Sequence, residues 1–294
     1  MAAFVNPDGT YNRTQMLEAQ AMSATIGYRM ATIELELHKW NTVAKRDMLL
    51  GCSLTGLADF INLTGILDDE LALLLQDLRD TARQTADRLA ERLKFNKSLN
   101  ITCAKPSGSV SLLAAASAGI HFQHSPYYIR RVRINNADPL CQAMQEMGFV
   151  SHPENGQTEE DCSTRVFEFP MKSPKGATKF DVSAIRQLEL YKLLMKHYVD
   201  HNASNTISVS HEEWDEVVDW VYKNWDSVVG MTFLELTSDY YQQAPYESIT
   251  EEQYNALIET TPSFDAKTAN ESEDFSDLLV AEIEACAAGQ CPIR

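Results

Sequence analysis

Short strand-like segments alternate with helical segments through this sequence from residue 98 onward. Alternating apolar and polar residues mark the strand-like segments, and apolar residues at three- and four-residue steps mark the helical ones. Strands are predicted at residues 99–103, 127–134, 165–169, 205–210 and 230–234, and helices at 139–148, at 182–199 and from 211. Because helices and strands alternate, the sequence predicts an α/β fold with a partly parallel sheet.

The residues before this alternation are predicted to be helical. In residues 13–40, apolar residues at three- and four-residue steps define one helix face: Met16, Ala19, Met22, Ile26, Met30 and Ile33. Residues 46–63 are apolar and contain Gly51 and Gly56, which predicts a buried helix packed closely against its neighbours. Residues 68–93 carry leucines on one side and charges on the other, the pattern of an amphipathic helix.

The chain has a large negative charge. Its 294 residues include 25 Lys and Arg against 42 Asp and Glu, a formal net charge of −17, and 44% of the residues are hydrophobic. This composition supports a folded core and argues against a disordered chain. It also argues against a duplex-binding or polybasic membrane surface, because clustered Lys and Arg bind phosphate groups. We therefore expect neither nucleic acid nor a membrane among its partners.

The sequence shows no targeting segment. It has no run of about 18 apolar residues, the length of a membrane-spanning helix, and its first nine residues lack the basic and apolar regions of a signal peptide. Six cysteines in a chain of this size are too few for a dense disulfide framework. We expect a cytoplasmic protein whose cysteines are mostly reduced thiols.

A turn of small residues follows the predicted strand at 99–103. It contains Pro106, Ser107, Gly108, Ser109 and Val110, and an apolar run follows it. Consecutive backbone amides in such a turn can approach a phosphate closely, and the serine hydroxyls can add donors. An ordinary Pro-Ser-Gly turn with a serine helix cap has the same composition. Spacing alone favours the ordinary turn, since the segment matches neither a Walker loop nor a dinucleotide fingerprint.

Two cysteines lie close together near the end of the sequence. Cys286 and Cys291 lie five positions apart in a segment rich in small residues, and such a pair of thiols can close a disulfide and exchange it with another redox protein. Half of a metal site and incidental cysteines are the alternatives. A zinc knuckle needs a second Cys or His pair nearby, and the sequence has none there. The pattern favours redox chemistry, with no metal.

The remaining candidates are a histidine pair and the arginines that follow it. His121 and His124 have the spacing of half a metal site, but no carboxylate partner is evident. Arg130, Arg131 and Arg133 could face a phosphate, but pairing with some of the many acids on the outer face of a strand is the better prediction. The other four cysteines, at positions 52, 103, 141 and 162, are interpreted as buried or incidental thiols.

Several of these segments together resemble a known enzyme family. Residues 51–59, GCSLTGLAD, are similar to a segment of ribonucleotide reductase catalytic subunits. Residues 105–113, KPSGSVSLL, resemble the adenosylcobalamin-dependent (class II) enzymes in particular. The same resemblance extends to residues 119–121, 127–133, 205–210 and 212–220 and to the Cys-x4-Cys-Pro-Ile-Arg terminus. The motifs occur in the family's order, so the resemblance is specific although each motif alone is weak.

The resemblance implies a fold and a role for each candidate residue. The family fold is a ten-stranded α/β barrel of two five-stranded halves, and residues 1–245 resemble the C-terminal half, with helical segments at the N-terminus. Residues 246–294 would be an extension whose flexible tail, from about 271, carries Cys286 and Cys291 as the dithiol that re-reduces the active site. Pro106, Ser107, Gly108, Ser109 and Val110 would hold the substrate phosphates through backbone amides and serine hydroxyls. Gly119 and His121 would lie near the substrate and the cofactor.

One family feature is missing from the sequence. The family's radical-bearing cysteine lies in an Asn-x-Cys-x-Glu pattern, and none of the six cysteines here does. The expectation is a split or fragmentary reductase, completed by a separate N-terminal half with which it shares adenosylcobalamin. Its substrate would be a ribonucleoside di- or triphosphate, and its reductant thioredoxin or a similar dithiol. A fragment of a cobalamin-independent large subunit and a non-catalytic nucleotide- or subunit-binding homologue remain the alternatives.

Overall fold

The structure is a computed structural model that describes residues 1–237 and 241–271. The chain divides into two compact units. The first contains Met1–Gln123 and Ser173–Leu236, and the second contains His124–Lys172 and the described residues from Thr237 onward. The division into a barrel segment ending at residue 245 and a later extension stays a prediction.

Helices and strands alternate as the sequence predicts. In the described residues the α-helices are α1 (Arg13–Ala31), α2 (His38–Asp47), α3 (Leu57–Thr64), α4 (Asp68–Leu93), α5 (Val110–Leu113), α6 (Pro139–Glu146), α7 (Ala184–His197), α8 (Trp214–Lys223), α9 (Glu251–Thr260) and α10 (Ala266–Glu271). The strands are β1 (Tyr127–Asn135), β2 (Ser151–Pro153), β3 (Thr164–Lys172), β4 (Thr206–Val209), β5 (Thr232–Glu235) and β6 (Tyr246–Ser248). Short 3₁₀ turns precede α1 and flank α8.

The long amphipathic helix α4 organises the first unit, and its predicted bounds are confirmed. Acidic residues occupy its first turn and Arg92 its last, which complements the helix dipole. Its leucines at 71, 74, 75 and 78 are buried together with Leu190, Tyr191 and Leu194 of α7. Its alanines at 82 and 86 pack beside Ala24 and Tyr28 of α1. One helix thus contributes to two neighbouring cores.

Helix α1 is shorter than predicted and buries a different face. It ends at Ala31, and α2 begins only at His38. Met16 is buried as expected, but the other buried positions are Gln20, Ala24 and Tyr28. Met22, Ile26, Met30 and Ile33, which we call the apolar stripe, are 54–64% exposed. The small Ala24 allows close packing, and Gln20 donates to the Tyr198 hydroxyl at 3.0 Å, so polarity alone does not identify the buried side.

The predicted buried helix over residues 46–63 is wrong in its first half. Residues 48–56 are not helical, because α2 ends before Met48 and α3 begins after Gly56, and both of these residues have a positive φ. The amide of Leu50 donates to the Asn100 carbonyl at 3.0 Å, and that of Cys103 donates to the Cys52 carbonyl at 3.0 Å. This parallel pairing includes an isolated bridge between Cys52 and Thr102, so residues 99–103 pair as predicted only at single positions and form no regular strand.

A parallel pair of strands lies in the last part of the first unit. Strands β4 and β5 run side by side in parallel, from the pair Thr206–Thr232 to the pair Val209–Glu235. Helices α7 and α8 pack with them in a core that includes Leu188, Ile207 and Trp220. The predicted strand at residues 205–210 and the helix after it are confirmed.

The second unit is built on an antiparallel sheet with the strand order β2-β3-β1-β6. Strand β2 lies outside the segments that the sequence predicts to be strands. Arg131, 9% exposed, pairs with Glu168 at 2.7 Å and with Glu247 at 2.6 Å. Arg133 pairs with Glu154 at 2.7 Å. Pairing with acids is thus confirmed for Arg131 and Arg133, although Arg131 is buried and not on an outer face. Arg130 instead donates to the Arg131 and Pro245 carbonyls and lies over the Tyr246 ring. No helix in the described ranges has an apolar stretch long enough to cross a membrane.

Candidate active site segment

The predicted phosphate turn lies in the first unit, between the bridged segment that ends at Ala104 and the single helical turn of α5. Pro106, Gly108, Ser109 and Val110 are exposed, and Ser107 is half-buried. The turn is therefore accessible from solvent, as a ligand-binding segment must be.

Both ends of the segment from Lys105 to Gly119 are attached to the chain that enters α3. At the first end, the amide of Lys105 donates to the Ser53 hydroxyl at 2.9 Å. At the second end, the amide of Gly56 donates to the Ser117 carbonyl at 2.8 Å. The segment is therefore a loop whose two ends are held by hydrogen bonds to residues 53–56, and its exposed turn lies between these fixed ends.

Three groups meet beneath the turn. The hydroxyls of Thr55 and Ser107 lie 2.8 Å apart. The amide of Gly119 donates to both hydroxyls, to that of Ser107 at 2.9 Å and to that of Thr55 at 3.1 Å. The Thr55 hydroxyl also lies 3.1 Å from the Ser117 carbonyl, to which it donates. Ser107 has a φ of +48°, in the left-handed region that non-glycine residues seldom occupy.

The outer side of the turn offers free donors. Within the described chain, the backbone N–H groups of Gly108, Ser109 and Val110 donate to no other group. They are consecutive and belong to exposed residues. Successive free amides in a tight turn form a concave surface for an anion with several oxygens. The arrangement suits a phosphate group.

A buried carboxylate lies behind the loop. Asp59 of α3 is completely buried. It accepts hydrogen bonds from the Ser117 amide at 2.6 Å and from the side-chain amide of Gln123 at 3.1 Å. The second end of the loop is thus attached to α3 by a short hydrogen bond to a buried carboxyl group.

Gly119 and His121 make only internal polar contacts. A Cβ on Gly119, whose φ is +54°, would lie 2.4 Å from the Lys105 carbonyl, so the backbone packs too closely here for any side chain. In His121, Nδ1 contacts the Ala118 carbonyl at 2.9 Å, and Nε2 accepts from the Thr206 amide at 2.9 Å. Burial lowers the pKa of His121 and keeps the ring neutral. Neither residue presents a free polar atom to a cofactor.

The other candidates divide into two groups. Cys286 and Cys291 lie outside the described residues. Burial raises the pKa of Cys52 and Cys103, and that of Cys141 to about 11, so these thiols stay protonated and unreactive at neutral pH. In the residues that the structure describes, no three His, Cys, Asp or Glu side chains form a metal-binding group.

The sequence analysis did not assign a role to Ser53, Thr55 or Asp59. These residues belong to the segment 51–59 that carries part of the family resemblance. That resemblance is the only signal that could have identified them, because their contacts join segments more than 50 residues apart.

No family model matches the chain. Among curated relatives, it is 30% identical over 256 residues to a probable adenosylcobalamin-dependent ribonucleoside-triphosphate reductase of Dictyostelium discoideum, covering 82% of this chain and 32% of the relative. It is 31% identical over 237 residues to an adenosylcobalamin-dependent ribonucleoside-triphosphate reductase of Euglena gracilis, covering 79% of this chain and 32% of the relative. The chain thus spans about a third of these two relatives.

A solved structure of the same enzyme class has a similar fold. The crystal structure of a B12-dependent (class II) ribonucleotide reductase matches with a TM-score of 0.75 at 24% sequence identity. The match covers 87% of this chain and 39% of that chain. The expected fold, part of the α/β barrel of that enzyme class, is confirmed.

Proposed function

We propose that this chain, a homologue of the adenosylcobalamin-dependent (class II) ribonucleotide reductases over about a third of their length, forms part of an enzyme that reduces ribonucleotides to 2′-deoxyribonucleotides. The observation that carries the proposal for the chain's own residues is the exposed turn with three consecutive free amides at Gly108, Ser109 and Val110. We assign this turn to the substrate phosphates. Because the relatives are named triphosphate reductases, the proposed substrate is a ribonucleoside triphosphate.

Binding at the turn would orient the substrate without taking part in the bond changes. Each amide donates to a phosphate oxygen, and a hydrogen bond to a charged acceptor contributes about 1.5–3 kcal/mol. The loop is fixed at both ends, through Lys105 and through Ser117, so little ordering is needed when the phosphate binds. The chain's contribution at this site is therefore affinity and orientation.

Two further parts of the proposal concern residues outside the described chain. In the assembled enzyme, an active-site dithiol would become a disulfide as it supplies two electrons and two protons and the 2′-hydroxyl of the substrate leaves as water. Cys286 and Cys291 would afterwards reduce that disulfide by thiol–disulfide exchange and become a disulfide themselves. A thioredoxin-like dithiol would then reduce the pair again. The radical-bearing cysteine would come from another polypeptide segment, because no cysteine here lies in an Asn-x-Cys-x-Glu pattern.

The proposed cofactor of the assembled enzyme is adenosylcobalamin, on which the curated relatives depend by name. Gly119 and His121, which the resemblance placed near it, do not present a free polar atom to it. Both ring nitrogens of His121 are engaged, and Gly119 packs against the Lys105 carbonyl. We assign no described residue to the cofactor.

The test is reconstitution of activity. The purified chain is assayed for deoxyribonucleotide formation with adenosylcobalamin and a dithiol, alone and mixed with a reductase segment that carries the Asn-x-Cys-x-Glu pattern. Turnover only in the mixture supports the proposal. Turnover by the chain alone contradicts the assignment of the radical-bearing cysteine to another segment. A mixture that assembles and binds ribonucleotide without turnover indicates a non-catalytic homologue.

A further inference from the structure

We infer that Thr55 is a positioning residue that holds the phosphate turn in its binding conformation, and that the side chain of Ser107 serves this support instead of binding the phosphate. The inference rests on the proposed phosphate-binding role of the turn. It departs from the sequence analysis, in which the Ser107 hydroxyl was expected to contact the substrate.

The available protons decide how the Ser107 hydroxyl is used. A hydroxyl has one proton to donate, and a carbonyl can only accept. The 2.8 Å distance between the two hydroxyls fits either as the donor. We assign the Thr55 proton to the Ser117 carbonyl at 3.1 Å, so that Ser107 donates in the contact between the hydroxyls and Thr55 accepts. No proton of Ser107 is left for a phosphate oxygen.

The same contacts explain the backbone conformation of Ser107. A φ of +48° is unfavourable for serine unless the surroundings hold it. Thr55 accepts from the Ser107 hydroxyl, and the amide of Gly119 donates to it, so the side chain is held from two sides. The torsion angles of Ser107 set the direction of the next peptide groups. The orientation of the free amides of Gly108 and Ser109 thus depends on Thr55.

The experiment is a titration of the ¹⁵N-labelled chain with inorganic triphosphate, followed by the amide resonances of Gly108, Ser109 and Val110. Thr55→Val keeps the shape of the side chain but removes the acceptor. We expect this variant to bind triphosphate about 3- to 10-fold more weakly, the loss of one ordinary hydrogen bond. Thr55→Ser restores the hydroxyl and is expected to restore the affinity.

A matched control separates positioning from general stability. Thr64 is a half-buried threonine whose hydroxyl donates to the Phe60 carbonyl at 2.7 Å, at the far end of α3. Thr64→Val is expected to lower thermal stability about as much as Thr55→Val and to leave triphosphate binding unchanged. The ¹³C shifts of Ser107, which report its backbone conformation, should change only in Thr55→Val.

Variants of Ser107 test the second half of the inference. Glycine adopts a positive φ readily and alanine does not. Ser107→Gly is therefore expected to bind triphosphate more tightly than Ser107→Ala. Equal losses in the two variants would show that the hydroxyl itself binds the anion, and would overturn the inference.

The remaining outcomes identify which proposal fails. Unchanged affinity in Thr55→Val, with triphosphate still shifting the three amides, overturns the positioning role and leaves the phosphate turn intact. No amide shift in the wild-type chain at saturating triphosphate overturns the phosphate assignment itself, and the positioning role with it.

Discussion

The backbone amide of Ser117 lies 2.6 Å from the carboxylate of Asp59, which is completely buried in α3. This bond joins a helix of the first unit to the end of the loop that carries the phosphate turn. The carboxylate also accepts from Gln123, so its removal would leave two donors without their partner.

The first prediction concerns the stability that this carboxylate provides. Asp59→Ala leaves the Ser117 amide unpartnered in the interior, and we expect a loss of about 2–3 kcal/mol in the free energy of unfolding. Urea unfolding followed by circular dichroism measures it. Asp77→Ala is the control, because Asp77 pairs with Arg13 at the surface, where ion pairs contribute about 0–1 kcal/mol. Similar losses in both variants would contradict the role of Asp59.

The second prediction concerns access to the free amides. A leucine at Ser109 would place a branched side chain beside the three donors and block close approach of a phosphate. If one or two charge-assisted bonds are lost, triphosphate affinity should fall tenfold or more. Ala114→Leu, at an exposed position beyond α5, is the control. A folded Ser109→Leu variant with unchanged affinity would show that the phosphate binds elsewhere.

The third prediction concerns the terminal dithiol. In the assembled enzyme, Cys286→Ser or Cys291→Ser should abolish multiple turnovers with thioredoxin as reductant. One turnover should survive, because the first product uses the dithiol already in the active site. Product per enzyme, measured in a single-turnover and a multiple-turnover assay, gives both values. Undiminished multiple turnover in either variant would exclude the redox role.

The fourth prediction is an acid sensitivity that originates at Asp200. Burial opposes the charged form of this carboxylate, but the Ile101 amide and the guanidinium groups of Arg79 and Arg83 outweigh burial and lower its pKa. Since the folded-state pKa is below the unfolded value of about 3.9, the stabilisation is present above that value and is lost as the pH falls through the folded pKa.

The measurement is the free energy of unfolding between pH 7 and pH 2. Asp200→Asn should lower the free energy of unfolding at pH 7 by about 2–3 kcal/mol. The loss is smaller than for a fully buried ion pair, because solvent screens the partly exposed arginines. The difference from the wild-type protein should narrow below about pH 4. A constant difference at all pH values would show that Asp200 does not contribute through its charge.

The fifth prediction concerns the apolar stripe of Met22, Ile26, Met30 and Ile33. Met22, Ile26 and Met30 recur at four-residue steps on α1, and Ile33 follows just after its end. Large apolar side chains this exposed favour association, and we expect the isolated chain to self-associate. The double variant Ile26→Glu, Met30→Glu should lower the mass measured by light scattering. Val150→Glu, at a single exposed apolar position of the second unit, should not. A monomeric wild-type chain would contradict the prediction.

Local patterns in the sequence predicted those elements that one strong pattern defines. The bounds of α4 agree because leucines and charges separate cleanly over residues 68–93. Strand β1 agrees because residues 127–134 alternate. The buried face of α1 does not, because Gln20 is buried by its bond to Tyr198, a residue 178 positions away. Apolar periodicity cannot identify a polar residue that a distant partner makes compatible with the core.

The candidate site shows the same limit. Its exposed turn was predicted from a local run of small residues. The hydrogen bonds that hold the turn were not predicted, because they join residues far apart in sequence: Thr55 and Ser107 are 52 positions apart, and Asp59 and Ser117 are 58. Threonine and aspartate at these positions would also suit an ordinary helix start. Only the folded chain shows that they hold the loop.

The order in which the first core is assembled has a consequence during synthesis. Leu71, Leu74 and Leu78 of α4 are buried together with Leu190 and Leu194, and the whole of residues 124–172 belongs to the other unit. On a ribosome that adds about 5–20 residues per second, the leucines of α4 wait roughly 5–20 s for these partners. Throughout that interval, chaperones and neighbouring nascent chains can bind the leucines of α4. The yield of folded protein in the cell should therefore depend on translation speed and on chaperone supply.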